Sequence, residues 1–280
     1  MEYTNLVTSP FGIGEKLISE LLKRDESVYT IFASAKNVPM SFIGKPNLKY
    51  GFVKFDEELY FDKNLPRRVK NVFHLYEVYS GSFLKLFKSN TLATLLLLDW
   101  AKRVGASTFV YFSSGEVYGK GKNLDEKGLP HPHSFYATTK FEAETLLKFY
   151  NKSYEIHTVR LFFPFSKNLD QGLIPHLLES IRSGDSIDTA YSIIAPTFID
   201  DIIEPLIKLR EIKGNHTLNI CGSPVEVNKL VEKIKKISGK SPKKISTGRI
   251  ELSGNNAKAK EMLGYNETPI EEALKSLFGG

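Results

Sequence analysis

Over the first 163 residues, short apolar runs of strand length take turns with longer stretches of helical period. Residues 3–8, 28–32, 48–55, 69–75, 108–112 and 156–162 are rich in β-branched and aromatic side chains and predict strands. Leu17, Ile18, Leu21 and Leu22 form one helical stripe, residues 83–104 carry a second that stops at Gly105, and residues 134–150 predict a third helix. Such alternation predicts a doubly wound α/β domain on a parallel sheet over residues 1–163. Past residue 163 the elements shorten and mix. Residues 172–183, 198–210 and 227–237 predict helical segments and 217–220 a strand, a smaller C-terminal α+β part over 164–280 with some segments returning to the main sheet.

In an open parallel sheet, ligands bind beyond the carboxyl ends of the strands, so the loops there are where chemistry is expected. The first of them, Ser9-Pro-Phe-Gly12-Ile13-Gly14, joins a strand to a helix. Its backbone N–H groups and the positive helix end suit a dinucleotide pyrophosphate. The second strand ends at Phe32-Ala-Ser with no carboxylate for the ribose 2′-hydroxyl of NAD, and Lys36 just beyond leaves NADP open. The strand at 108–112 empties into Ser113-Ser-Gly-Glu-Val-Tyr-Gly119, which makes Ser113 and Ser114 candidates, and residues 119–133 predict a loop. His74, at another strand end, reads as a structural histidine.

Within the third helix, Tyr136 and Lys140 stand one turn apart and share a face. A free phenol has a pKa of about 10, so a tyrosine active near neutrality needs about 4 kcal/mol in favour of phenolate. One cation about 4 Å away supplies about that much at an effective dielectric of 20. The same spacing occurs at Tyr50/Lys54 and Tyr118/Lys122. Tyr50 lies in a predicted strand, where i and i+4 are about 13 Å apart, and Tyr118 leads into Gly-Lys-Gly, which breaks a helix. Only Tyr136 opens a convincing helix.

Composition narrows the classes. With 280 residues and 41% hydrophobic content the chain can build one large domain or two modest ones. The single Cys221 rules out an internal disulfide and any multi-cysteine metal site. His131 and His133 flank a proline with no cysteine or acidic cluster nearby, a poor ligand set, so no metal is expected. The net charge of +6 comes from scattered lysines, and the cluster from Lys233 to Lys244 reads as a solvated helix face, so no nucleic-acid partner is expected. No secretory signal opens the chain and no apolar run approaches the roughly 18 residues that span a bilayer. A cytoplasmic protein without membrane contact is the expectation.

The motifs Leu-Val-Thr8-Ser with Gly12 and Gly14, Val72-Phe-His-Leu75, Asn90 ahead of Thr94-Leu-Leu-Leu, Phe109 through Ser-Ser-Gly-Glu-Val-Tyr-Gly119, and Ser134 through Lys140 arrive in an order that resembles the extended short-chain dehydrogenase/reductase family. These are the NAD(P)-dependent epimerases and dehydratases that act mainly on nucleotide sugars, UDP-glucose 4-epimerase among them. The resemblance implies a Rossmann domain followed by a smaller substrate-binding part. It implies a catalytic triad of Ser114, Tyr136 and Lys140, with Tyr136 as general acid or base. It implies cofactor contacts at Thr8, Gly12, Ile13, Gly14, Asn90, Tyr136 and Lys140, a homodimer, and substrate contact at Glu116. Two departures bear on the substrate. Gly115 stands where the dehydratase branch carries the acid that protonates a leaving hydroxyl, and Ile194 stands where the family places a diphosphate-binding arginine, for which Arg249 is the substitute. The expected activity is hydride transfer at a sugar carbinol by a sugar-nucleotide epimerase or related oxidoreductase. The alternatives are an NADPH-dependent ketoreductase on a small non-nucleotide substrate and a non-catalytic cofactor-sensing relative.

Overall fold

The computed structural model of the chain describes residues 2–32, 38–53 and 65–278. The chain opens with β1 (Glu2–Val7), α1 (Ile13–Lys23), β2 (Val28–Phe32), β3 (Leu48–Phe52) and β4 (Arg68–His74). A broken helix follows: α2 (Phe83–Leu86), a π-helical turn (Phe87–Leu92) and α3 (Ala93–Arg103). Then come β5 (Thr108–Ser114), β6 (Gly121–Leu124), α4 (Phe135–Leu147), β7 (Glu155–Leu161) and β8 (Pro164–Phe165). The remainder comprises α5 (Leu173–Ser183), β9 (Ile187–Ile194), β10 (Thr197–Phe198), α6 (Ile203–Lys208), β11 (His216–Ile220), β12 (Val225–Glu226), α7 (Val227–Ser238), β13 (Ile245–Gly254), α8 (Ala257–Leu263) and α9 (Ile270–Phe278).

Seven strands form one sheet in the order β11-β7-β5-β4-β1-β2-β3. The β1, β2, β3, β4 and β5 ladders are parallel, with Leu6 opposite Tyr29 on one side and Val72 on the other. Strand order reverses between β1 and β4, and that switch point is where a doubly wound sheet opens a crevice for a ligand. Such strands are buried on both faces, which accounts for the fully buried run of β5 and for the apolar content that marked these segments in the sequence. Leu97, Leu98, Ala101, Ala143 and Leu147 of α3 and α4 close one face against Leu6, Val72 and Phe109. Each leucine taken fully out of water there contributes about 1.5–3 kcal/mol.

The chain divides into two units, residues 1–113, 132–159 and 206–217 in one, and 114–131, 160–205 and 218–280 in the other. The second unit has its own sheet, ordered β12-β9-β13-β6, with β9 and β13 parallel. Its β6 lies inside residues 119–133, where the sequence predicted loop. A hydrogen bond from Asn123 N to Ser253 Oγ and the ladder to β13 draw this glycine-rich segment into the sheet. Helix α7 buries Val227, Leu230, Val231 and Ile234 and turns its lysines outward, then ends on Gly239 in the left-handed region. Among the described residues no helix is long and apolar enough to cross a membrane.

Candidate active site

Ser134 caps α4, its Oγ accepting a hydrogen bond from Ala137 N at 3.1 Å, and this fixes the helix start so that Tyr136 lies in the first turn and Lys140 in the second. Both side chains are buried, Lys140 at 1% exposure. An ammonium so enclosed needs a counter-charge, and it finds one in Glu77, a residue of the loop after β4. Lys140 Nζ lies 2.9 Å from Glu77 Oε2, and the Tyr136 hydroxyl donates to that same oxygen at 2.8 Å. Tyr79 donates to the other carboxylate oxygen and its ring packs on Tyr136, centroids 4.8 Å apart. Lys140 also sits over the Tyr111 ring at 4.7 Å. Burial by itself lowers the Lys140 pKa, but Glu77 and Tyr111 outweigh it and hold the amine above its ordinary value, so it stays charged. The Tyr111 phenol is pushed up to about 12, by burial first and against the pull of Lys140.

The loop that carries Glu77 is pinned on both sides. Upstream, Thr8 Oγ1 accepts from Leu75 N at 3.0 Å and from Tyr76 N at 2.9 Å. Downstream, Asn90 clamps Val78 in both directions, Oδ1 accepting from Val78 N at 2.8 Å and Nδ2 donating to Val78 O at 3.0 Å. The same Nδ2 lies 3.1 Å from Thr139 Oγ1, the neighbour of Lys140 on α4. Asn90 belongs to the π-helical turn between α2 and α3, a distortion that recurs at functional sites.

His74 is fully buried at the switch point, with Nδ1 2.9 Å from Thr8 Oγ1 and Nε2 3.0 Å from Thr94 Oγ1. The partners fix its tautomer. Two backbone N–H groups already fill the acceptor positions of Thr8, so its own proton goes to Nδ1, while Thr94 gives its proton to Asn90 O at 2.6 Å and accepts from Nε2–H. Burial and the Lys140 charge push His74 down to about 3, and it is neutral throughout the physiological range. The histidine is structural, as its sequence position suggested.

The turn before α1 offers backbone instead of side chains. Gly12 holds φ at 55° as the N-cap of α1, a conformation that favours glycine, and no side chain caps the helix. At Gly14 a Cβ would lie 1.6 Å from Ser9 O, so only glycine lets the chain pass. Ile13 begins the helix between them. Four donors of an α-helix's first turn have no intrahelical partner, and here Gly14 N turns back to Phe11 O. This glycine-lined helix start fits a pyrophosphate.

Ser114 lies in the other unit, where it is buried at the end of β5 and its Oγ accepts from Glu116 N at 3.1 Å. Glu116 is half-buried in the short turn that follows. Gly115 has no room for a side chain, since a Cβ would meet the Phe162 ring at 2.4 Å. Ile194 is fully buried and Arg249 is exposed on β13. Of the two other Tyr-x-x-x-Lys spacings, Tyr118 lies 2.9 Å from Asn219 Oδ1 while Lys122 pairs with Glu251. Tyr50 is exposed on β3, and Lys54 falls outside the described residues, as does Lys36. Among the described residues no group of three metal-ligating side chains occurs.

Sequence inspection missed Glu77. The one signal was an acidic residue three positions after His74, at the strand end beside the switch point, where a carboxylate is out of place in an otherwise apolar run.

A parallel sheet with a glycine turn at its first crossover is the frame of the extended short-chain dehydrogenase/reductase enzymes. The chain belongs to the NAD dependent epimerase/dehydratase family, whose match covers residues 12–220. It is 27% identical to uncharacterized protein MJ1055 of Methanocaldococcus jannaschii over 67% of this chain and 63% of that one. It is 25% identical to UDP-glucuronic acid decarboxylase 3 of Arabidopsis thaliana over 94% of this chain and 84% of that one. In fold it is similar to a UDP-glucuronic acid 4-epimerase from Bacillus cereus solved with NAD, at a TM-score of 0.85 and 23% identity, covering 98% of each chain.

Proposed function

We propose that the protein is an NAD-dependent oxidoreductase of nucleotide sugars, an epimerase or a close relative that transfers hydride at a sugar carbinol. The observation that carries this is the buried Tyr136–Lys140 pair, with the lysine held charged beside the phenol. Tyr136 takes or returns the hydroxyl proton, a role worth about 10²–10⁴-fold in rate. Lys140 biases that phenol toward ionisation by its charge. By family likeness Ser114 supplies a second hydroxyl to the reacting oxygen, and Glu116 and Arg249 contact the substrate. NAD would rest its pyrophosphate on Gly12, Ile13, Gly14 and the start of α1, with Thr8, Asn90, Tyr136 and Lys140 ordering the wall beside it. Bound there, it supplies the centre that accepts and returns hydride. The Thr8 and Asn90 side chains act through the loops they pin, since their polar atoms are already engaged by protein.

Gly115 supports epimerisation over 4,6-dehydration, because the Phe162 ring leaves no space for an acid at that position. An alternative activity is supported by Ile194, an uncharged and fully buried side chain at the position expected to bind a diphosphate. That favours a ketoreductase acting on a smaller, non-nucleotide substrate. Phe83 stacks on Phe135, and with Leu84 and Phe87 it leaves an exposed apolar face on α2, the π-helical turn after it and the start of α4, which supports a homodimer.

The test is Tyr136→Phe. Turnover of a UDP-sugar in the presence of NAD should fall by about 10²-fold or more while the protein stays folded and still binds NAD at the glycine turn. A wild-type protein that binds neither NAD nor NADP in calorimetry overturns the proposal, and turnover with NADPH on simple ketones but no UDP-sugar binding selects the alternative activity.

A further inference from the structure

We propose that Glu77 is the resident counter-ion of the tyrosine–lysine pair, a positioning residue that keeps the proton on Tyr136 until an incoming hydroxyl takes the phenol away from it. This rests on the acid–base role given to Tyr136 above and adds a third, anionic member to that centre.

One carboxylate oxygen, Oε2, accepts from the Tyr136 hydroxyl and faces Lys140 Nζ, and the other accepts from Tyr79. The backbone on either side is clamped, by Thr8 at Leu75 and Tyr76 and by Asn90 at Val78. Glu77 is therefore delivered to the pair by the fold and does not wander to it from solvent. Two electrostatic consequences follow. A phenol that donates to a carboxylate resists ionisation, because losing the proton would leave two anionic oxygens 2.8 Å apart. The same carboxylate cancels most of the Lys140 charge, which otherwise would draw Tyr136 toward phenolate. Among the described residues, the other titratable groups that the contacts place around the pair do not supply an alternative cation. They are Tyr79 from the Glu77 loop, Tyr111 from β5, neutral His74 from β4, and Glu144 from α4, which hydrogen-bonds Ser113.

The resting pair is thus a proton donor, a different state from the one the Tyr-x-x-x-Lys spacing suggests by itself. No proton passes to Glu77. A ligand oxygen that hydrogen-bonds Tyr136 takes the place of Oε2, the carboxylate side chain turns away on its fixed backbone, and the Lys140 charge is then felt by the phenol alone. Ligand arrival and phenol activation become one event.

The experiment is an ultraviolet titration of tyrosinate, with the Tyr136→Phe curve subtracted so that one phenol is read among 13. In ligand-free wild type the Tyr136 midpoint should stand at or above the ordinary value of about 10. Glu77→Gln, which keeps the shape and removes the charge, should lower it by about one pH unit or more, a tenfold gain in acidity, and Glu77→Asp should return it toward wild type. A wild-type midpoint clearly below the ordinary phenol range overturns the proposal, and this arm needs no Glu77 variant to fold. An unchanged midpoint in Glu77→Gln also overturns it. NAD calorimetry on the same wild-type sample separates the two ideas: absence of binding defeats the oxidoreductase function and leaves the Tyr136 midpoint to decide the role of Glu77.

Discussion

At the turn from Ser9 to Gly14 the chemistry lies in the backbone, whereas at Tyr136 and Lys140 it lies in side chains drawn from separate parts of the chain. The turn works by what is absent: no Cβ at Gly12 or Gly14 and no side chain capping α1. The pair works by what is crowded around it, with Glu77, Tyr79 and Tyr111 all in contact with Tyr136 or Lys140. His74 and Thr8 connect the two, since Thr8 follows β1 into the glycine turn and His74 ends β4 beneath the Glu77 loop. A backbone site tolerates changes of side chain around it but not a change of its glycines. A packed polar network behaves the other way, because each partner removed leaves another buried and unsatisfied.

Substitution at the glycine turn should show this difference most strongly. Gly14→Ala puts a methyl group where Ser9 O already stands, and neither backbone segment can yield without moving β1 or α1. We expect a loss of about 3 kcal/mol in stability, at the upper end of overpacking costs, together with loss of NAD binding, read by thermal unfolding and calorimetry. Tyr136 should keep its titration midpoint in the surviving folded fraction. A Gly14→Ala protein of wild-type Tm that still binds NAD would show that the turn can open, and the contrast between the two regions would fail.

The difference also explains what could be read from the sequence. Strand β2 begins and ends where its apolar run does, and Ser134 announces α4 as a cap should, because both signals are local. The helix expected over 83–104 is broken by the π-helical turn at Phe87–Leu92, since one extra residue in a turn leaves no mark on an averaged period. Strand β13 carries no legible signal in the sequence, because its side chains are mixed and mostly half-exposed and give little alternation. Lys140 was visible one turn from Tyr136, but Glu77 stands 59 residues from that tyrosine and is brought there only by the crossover from β4. The Thr8 hydroxyl is bonded to the loop after β4, a use no spacing rule contains.

Acid should strain the connection between the regions before it touches either. His74 titrates near 6.5 when unfolded and about 3 when folded, so below 6.5 the unfolded chain binds a proton that the native protein refuses. Stability is therefore fully present above pH 6.5 and is lost as pH falls toward 3, at up to about 1.4 kcal/mol per pH unit. His157, buried against His216 and pushed down to about 4 by burial and its neighbour's charge, acts in the same direction. Between pH 6.5 and pH 5, His74 alone should account for about 2 kcal/mol, measured by urea unfolding across the range. His74→Gln should start lower, through lost contacts with Thr8 and Thr94, but fall less steeply. If the two curves run parallel, the histidine is not the group that titrates and the neutral tautomer assigned from its partners is wrong.

Asn90→Ala asks the smallest question and the most local one. The change removes the two hydrogen bonds that clamp Val78 and the one that reaches Thr139, yet leaves Glu77, Tyr136 and Lys140 untouched. Because a water can enter beside the half-buried loop and replace part of what is lost, the cost should be about 1 kcal/mol and not the full penalty of three bonds. Hydrogen exchange at the Val78 amide should rise well before exchange in β4 or α4 does. Such a result would place the downstream hold on the Glu77 loop in a single side chain, and it would separate the position of the carboxylate from its charge. If Val78 stays protected, the loop is held by the Thr8 bonds and the ion pair, and the network at Tyr136 depends on fewer residues than its crowded packing suggests.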